Sequence, residues 1–536
     1  MTVTVLSTRE IERIEPVATR VDPVTAQVIA GALQVIAIEM GHKLTRMSYS
    51  SIIRESEDFG AALLDTQGRQ LAESVHSTPL QLGPIPGYMR GILRIFKERG
   101  QEFYPGDVIL HNSPYHGASH GPDVGICVPI FYQDQLVGFS FTVAHHLDIG
   151  ALTPGSCGIV DAKDAYAEGL QFKALKVYER GQRNDALWYM LRDNIRASDM
   201  VVGDIEAQVA AARIGAERFI EILDQYGVDQ VMAASHELMN YSERMLRQEI
   251  EKLPDGTYRA EGYIDGFEDM DDPAYRDLKI AVALTIDGSD ITVDLTGTAA
   301  QVDLPINIPL EGSADIAVYL AIRSVLLDSA THEWVPQNSG LTRPIRIIAP
   351  KGTLVNPIFP APTIARFCTG NILADVVVRA LAQVVPERVC AGIGNLKVAS
   401  YSGMRGEDYW VYMDITEGSY GGRFGKDGMD AVDTLYANTR NNPIEDIESH
   451  YPLRVSRYEL MTDRTGPGRW RGGLGSVRDI TFTEEGGMSL EGDGNRFAPP
   501  GLFGGGDGAT GSVILNPGRP DERQMPSKFP YIKMRA

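Results

Sequence analysis

Cysteine is scarce: Cys127, Cys157, Cys368 and Cys390 are the only four in 536 residues, and no two form a CxxC pair. That spacing excludes a zinc ribbon and a dithiol redox motif, and scattered thiols suit a reducing compartment. Positive charge is also short, since 50 Lys and Arg against 71 Asp and Glu leave a net charge of −21. Nucleic acids and anionic membranes need basic surfaces, so neither is expected as a partner. Long apolar runs are missing too. ICVPIF (126–131) and IAVALTI (280–286) are strand-sized, far below the roughly 20 residues of a membrane span. The opening MTVTVLSTREIERIEP has no basic segment followed by an apolar one, so it does not read as a secretory signal and a cytoplasmic location is expected. HExxH is absent. GSYGGRFGKDG (418–428) comes near a phosphate-binding loop but lacks its spacing and its Ser/Thr, so no nucleotide site is read from the chain.

What is present is the composition of an ordinary globular protein, 43% apolar and 23% charged, at a length that implies two or more domains. Residues 1–21 are polar and aperiodic and read as an N-terminal arm. DPVTAQVIAGALQVIAIEMGHKL (22–44) opens a helix that Asp22 caps, with Pro23 in its first turn and Val24, Val28, Leu33, Ile36 and Met40 as its core stripe. From 58 to 175 short strands alternate with turns: DFGAALLD, DVILHN, ICVPIF and LVGFSFTVAHH. Two long helices follow, at 204–227 with Asp204 as N-cap and Gly227 as stop, and at 229–254, resembling a helical hairpin. LKIAVALTIDGSDITVDLTG then reads as a β-hairpin around Asp287-Gly288, followed by helices over 313–328 and 371–385 and a glycine-rich, strand-rich end. The expected class is α+β, a mixed multi-domain chain. Its parts are the arm (1–21), a metal-site α/β region with long helices (22–254) and a mixed α+β C-terminal region (255–536).

The chemistry concentrates in one place. Five of ten histidines (His111, His116, His120, His145, His146) fall within residues 111–146, where chance places fewer than one. Imidazole is the commonest nitrogen ligand of metals, and a carboxylate often completes the set. The turn His120-Gly121-Pro122-Asp123 can aim an imidazole and a carboxylate at one point, and a strand end at His145 can bring a third ligand. Two histidines and one carboxylate leave coordination positions open, as a catalytic metal requires. Neighbouring residues of a strand face opposite ways, so only one of His145 and His146 is expected to ligate. Asp123 after proline and Asp148 before Ile-Gly equally suit turn caps. Arg54, Glu55, Glu57 and Asp58 form a charged knot before a strand, which reads as a solvated helix end or as a carboxylate poised over a substrate.

RESEDFGAALLDTQGRQLAES, HNSPYHGASHGPDVGICVPIF, AHHLDIGALTPGS, VDLTGTAAQVDLPIN, PIRIIAPKGTLVNPIFPAP and GPGRWRGGLGSVRDITF resemble, in this order, the hydantoinase B/oxoprolinase family. The resemblance spans about residues 20–515. It implies a β-type subunit that works in a hetero-oligomer with a larger, hydantoinase A-like subunit holding ATP and Mg. Such complexes open a cyclic amide (hydantoin, 5-oxoproline or lactam); related acetone- and acetophenone-type carboxylases join bicarbonate to a ketone. A non-catalytic scaffold subunit and a lone metallohydrolase are the other readings. The resemblance further implies His120, Asp123 and His145 as ligands of a divalent metal (Mn, Zn or Fe), Asp58 as an active-site carboxylate, and His146 and Asp148 as orienting or acid–base groups beside the metal. His116 is left with a supporting or structural role. Two departures stand out. Gln81-Leu82-Gly83 replaces a His-Leu-Gly segment, and the chain stops at FPYIKMRA without a glycine-rich terminal motif, which suggests a shortened C-terminal region.

Overall fold

A computed structural model describes residues 21–332, 334–394 and 396–536; the expected arm, Val21 apart, lies outside them. The first helix, Pro23–Met47, is capped as its sequence predicts: the Asp22 carboxylate accepts from the backbone N–H groups of Val24 and Thr25 at 3.1 and 3.0 Å. Its buried stripe is Ala26, Ile29, Leu33, Ile36, Met40 and Leu44. Val24 and Val28, expected in that stripe, are 73% and 50% exposed. The step from 28 to 33 is five residues, and at 100° per residue it leaves the face that 26, 29 and 33 define. By length and composition this helix could cross a membrane, contrary to the run-length reading, but here its buried face packs on the helices that follow and on the first sheet.

Seven strands make that sheet: β1 (Phe59–Leu64), β2 (Gln70–Glu73), β3 (Val108–His111), β4 (Asp123–Tyr132), β5 (Gln135–His145), β6 (Leu175–Glu179) and β7 (Gln182–Arg183), in the antiparallel order β2-β1-β5-β4-β3-β6-β7. Helices cover both faces, so β1 is buried throughout and β4 along its first eight residues, with no polar side to give alternation. On one face lie Pro23–Met47 and the long helix Ser198–Tyr226. On the other, helix Ile85–Arg99 packs Tyr88, Met89 and Ile92 against Cys127, Phe139 and Phe141.

Helix Ser198–Tyr226 starts six residues before the expected cap. Asp204 lies inside it, and its carboxylate instead accepts from Tyr49 N and Ser50 N at 2.6 and 3.3 Å, holding the segment just before the short helix Ser51–Arg54 that leads into the site. Gly227, at φ 76°, stops it as expected and passes the chain to helix Val228–Ile250.

Beyond residue 255 come β8 (Gly256–Gly266), β9 (Arg276–Asp287), β10 (Asp290–Asp294) and β11 (Ile345–Ile348), in the order β11-β10-β9-β8. The β9–β10 turn is Gly288-Ser289, with Asp287 paired to Asp290, where the Asp-Gly signal placed it. Helix Arg366–Ala382, buried almost all round, packs on β8, β9 and helix Asp315–Leu326. It begins five residues earlier than its apolar pattern predicts, because Arg366 opens it without a Ser, Thr, Asp or Asn cap.

The glycine-rich end holds β12 (Lys397–Arg405), β13 (Asp408–Thr416), β14 (Leu453–Leu460), β15 (Ser476–Phe482), β16 (Gly486–Gly492), β17 (Val513–Leu515), β18 (Arg523–Met525) and β19 (Phe529–Met534). β13-β12-β16-β19 form a third sheet, and β14–β15 and β17–β18 pair separately. Here alternation is clean. Ala399, Tyr401, Trp410, Tyr412, Met488 and Leu490 face a local core, so Val398, Met413, Ile415 and Glu491 face the other way, toward the rest of the molecule. The fold class is α+β with several sheets, as the sequence predicts.

Candidate metal centre and active-site cavity

β4 begins at Asp123 and β5 ends at His145, and their register makes these two residues direct partners across the ladder. The turn before β4, closed by Asp123 N–H donating to His120 O at 3.2 Å, swings His120 onto the same point. His120 Nε2 and His145 Nδ1 each lie 3.0 Å from Asp123 Oδ1 and 3.3 Å from each other. All three residues are buried.

Does this set suit a metal? His120 Nδ1–H donates to Ile364 O at 2.6 Å, which fixes the tautomer and leaves the Nε2 lone pair facing the cluster. Separations of 3.0–3.3 Å between ligand atoms are the edges expected around an ion with bonds of roughly 2.0–2.2 Å. Two imidazoles and a carboxylate are the donors that Zn, Mn and Fe accept. The residues fit a divalent ion.

Other residues hold the set in place. Arg366, 2% exposed, donates to Asp123 Oδ2 and to Ser119 Oγ, and Ser119 Oγ–H donates to the same Oδ2 at 2.9 Å. Glu168 accepts from Thr363 N and Ile364 N at 2.5 and 2.6 Å and so clamps the peptide that orients His120. Gln81, fully buried, gives one amide nitrogen to Asp123 Oδ1 at 2.8 Å and to Asp58 Oδ1 at 3.0 Å. Thr78 Oγ1 donates to the same Asp58 oxygen at 3.0 Å, and Asp58 Oδ2 is 3.9 Å from His145 Nδ1. The glutamine at this departure from the family pattern therefore tethers two neighbouring carboxylates. We expect Gln81→Leu to weaken metal affinity by about 10- to 100-fold, the usual cost of losing a partner of a metal ligand, measured by competition with a chromogenic chelator.

The electrostatics are divided. Burial works against charge on Asp123, yet the His120 imidazole and Arg366 guanidinium hold its carboxyl well below the ordinary range. Burial, with Arg366 adding to it, lowers His120 to about 4, leaving a neutral ligand. Burial also disfavours charge on His145, but its hydrogen bond to Asp123 raises it overall. Asp58 is raised by burial despite His145 nearby.

Not every expected residue joins. His146 Nε2 meets Gln208 Oε1 at 2.8 Å on the long helix. Asp148 accepts from Gly150 N, Gly155 N and Arg196 at 2.8–3.2 Å, closing its own loop. Both are engaged away from the triad: His146, just past the end of β5, turns to the long helix, and Asp148 is held in the loop beyond it. His116 pairs with Ser113 Oγ at 3.0 Å. In the charged knot, Arg54 bridges to Asp446 and Glu57 to Arg440, and Asp58 alone turns inward. The sequence reading missed Arg366, Glu168 and Glu491, each far from the histidine cluster and without a motif. Gly117-Ala118-Ser119-His120-Gly121 spells the GxSxG of a nucleophile elbow, but Ser119 stands in a loop rather than between strand and helix.

His120, His145 and Asp58, but not Asp123, line a cavity with an open mouth. Phe367, Leu396, Val398, Met413 and Ile415 supply an apolar wall, with Cys157 and Glu491 among them.

Comparison with known proteins places this site in context. The family model for hydantoinase B/oxoprolinase matches residues 22–536. A Pseudomonas sp. (strain NS671) protein, provisionally named as the B component of a D-/L-hydantoinase, is 66% identical over 95% of this chain and 87% of its own length. The beta chain of the caprolactamase of Pseudomonas jessenii is 34% identical over 86% of this chain and 78% of its own. The crystal structure of the ATP-dependent caprolactamase from P. jessenii superposes with a TM-score of 0.85 at 28% identity, covering 96% of this chain and 89% of that one. An acetone carboxylase structure reaches a TM-score of 0.81 at 18% identity, covering 92% and 67%, a likeness of fold alone. The sequence motifs, the fold and these matches agree: the chain belongs to the hydantoinase B/oxoprolinase family.

Proposed function

We propose that this chain is the β-type catalytic subunit of an ATP-dependent heteromeric amidohydrolase that opens a small cyclic amide, with ATP and Mg held by a larger, hydantoinase A-like partner. The observation that carries this reading is the buried His120–Asp123–His145 triad, whose two imidazoles line an apolar-walled cavity with Asp58 beside them. A divalent ion held by His120, Asp123 and His145 would supply Lewis acidity toward an oxygen of substrate or water. The chain's own residues do the rest. Arg366 and Gln81 fix the Asp123 carboxylate, so nothing reorganises when charge develops beside it. Asp58, raised by burial, is the candidate to take or return a proton at Oδ2, the oxygen nearer His145. The apolar wall keeps bulk water from an activated ring.

Two relatives named for cyclic amides, at 66% and 34% identity, favour hydrolysis over carboxylation, for which the likeness is one of fold. The test is the complex co-purified with its ATP-binding partner, assayed for ATP-dependent turnover of hydantoins, lactams and ketones with labelled bicarbonate. Ring opening without label in the product is expected. Label fixed into a ketone would establish the carboxylase reading, and a triad that binds no metal and tolerates alanine would establish a scaffold.

A further inference from the structure

The third sheet turns one carboxylate toward the cavity. In the β13–β12–β16 ladder Ile415 pairs with Val398 and Val398 with Glu491, so these three side chains form one row on one face. Met413 stands two residues along on the same face. All four line the cavity that His120, His145 and Asp58 also line. Glu491 is 3% exposed, and its Oε1 meets no hydrogen-bond partner among the described residues. The Cys157 thiol beside it is a weak donor. Burial raises the Glu491 carboxyl to about 7.

A buried polar atom without a partner costs free energy, and this one sits in an otherwise apolar row that a bound ring would cover. The triad already offers groups for a reacting carbonyl. What remains of a cyclic amide is its N–H edge and its substituent, and this face of the sheet presents Glu491 among Val398, Met413 and Ile415. We infer that Glu491 is a substrate-recognising residue that hydrogen-bonds a ring N–H, while the ring's substituent lies on the apolar row. The inference rests on the cyclic-amide reading and deepens it: the substrate class becomes a ring with a free N–H and an apolar substituent.

The experiment uses the wild-type complex with ATP and compares an alkyl-substituted hydantoin with its N1-methyl and N3-methyl derivatives. One methyl isomer should raise KM at least about tenfold, since a site built around a hydrogen bond rejects the analogue lacking it. Glu491→Met, close in volume and suited to an apolar wall, should raise KM for the parent by a similar factor and abolish the methyl discrimination. Glu491→Gln, which keeps an acceptor at Oε1, should restore most of both. A wild-type complex that turns over all three hydantoins equally overturns the inference without any variant. So does Glu491→Met with unaltered KM and discrimination. A complex inert on every cyclic amide overturns the underlying reading instead.

Discussion

Asp123→Ala is expected to strip the metal from this chain and to lower ATP-dependent ring opening by on the order of a thousandfold or more, the scale of losing Lewis-acid assistance worth several kcal/mol. One fully buried carboxylate meets His120, His145, Gln81, Ser119 and Arg366. The substitution removes a ligand and also leaves a buried guanidinium without its counter-ion, which by itself destabilises. His120→Ala separates the two effects, since it removes a ligand and spares the Asp123–Arg366 pair, whereas Asp123→Asn keeps the shape but not the charge. All three should lose metal by elemental analysis while the complex still assembles on size exclusion. Full turnover in a metal-free variant would contradict the proposed function. The pH dependence has a definite sign. The folded value of His145 is raised in the metal-free chain. Its charge therefore contributes stability that is fully present below the ordinary imidazole value and fades as pH rises through the raised one. Metal binding needs the neutral ring, so affinity should rise over that same interval.

The second large effect lies away from the cavity. Lys528, just before β19, has no exposed side-chain surface and donates to Asp493 at 3.0 Å, itself 2% exposed. Asp493 also accepts from Asp265 N at 2.9 Å, while the Asp265 carboxylate accepts from Asn495 N and Arg496 N at 2.7 and 3.0 Å. The pair thus ties the last strand and the end of β16 to β8. Lys528→Met should destabilise this region by about 3–5 kcal/mol, because it leaves a buried carboxylate uncompensated. Limited proteolysis would show accelerated cleavage of the C-terminal strand. A Lys528→Met/Asp493→Asn double variant should recover most of the loss, since a neutral or apolar replacement of both partners costs little. A single variant as resistant as the parent would contradict this assignment.

How much of this was legible in the residues differs from element to element. The Asp22 cap, the Gly227 stop and the Asp287-Gly288 hairpin follow from local rules and stand where those rules put them. The spacing that joins His120 to Asp123 is a single turn, and His145 closes the adjacent hairpin, so their meeting was readable within one stretch of sequence. Arg366, Glu168 and Glu491 were not, because tertiary packing that no periodicity encodes brings Arg366 and Glu491 to the cavity and Glu168 to the peptide that orients His120. Asp204 shows the reverse error. Its carboxylate does accept backbone N–H groups, but those of Tyr49 and Ser50 rather than of its own helix. Val24 and Val28 failed through phase: apolar residues near helical spacing still fall off the face when one step is too long.

His120 and Asp123 each find a partner more than two hundred residues downstream, at Ile364 and Arg366, separations of 244 and 243 positions. On the ribosome the histidine cluster therefore emerges long before the groups that orient it. At roughly 5–20 residues per second the delay is on the order of ten to fifty seconds. Through that interval the nascent chain holds two imidazoles and a carboxylate with neither the carbonyl that sets a tautomer nor the guanidinium that anchors the acid. The cluster therefore gains its orienting groups only when synthesis is well advanced.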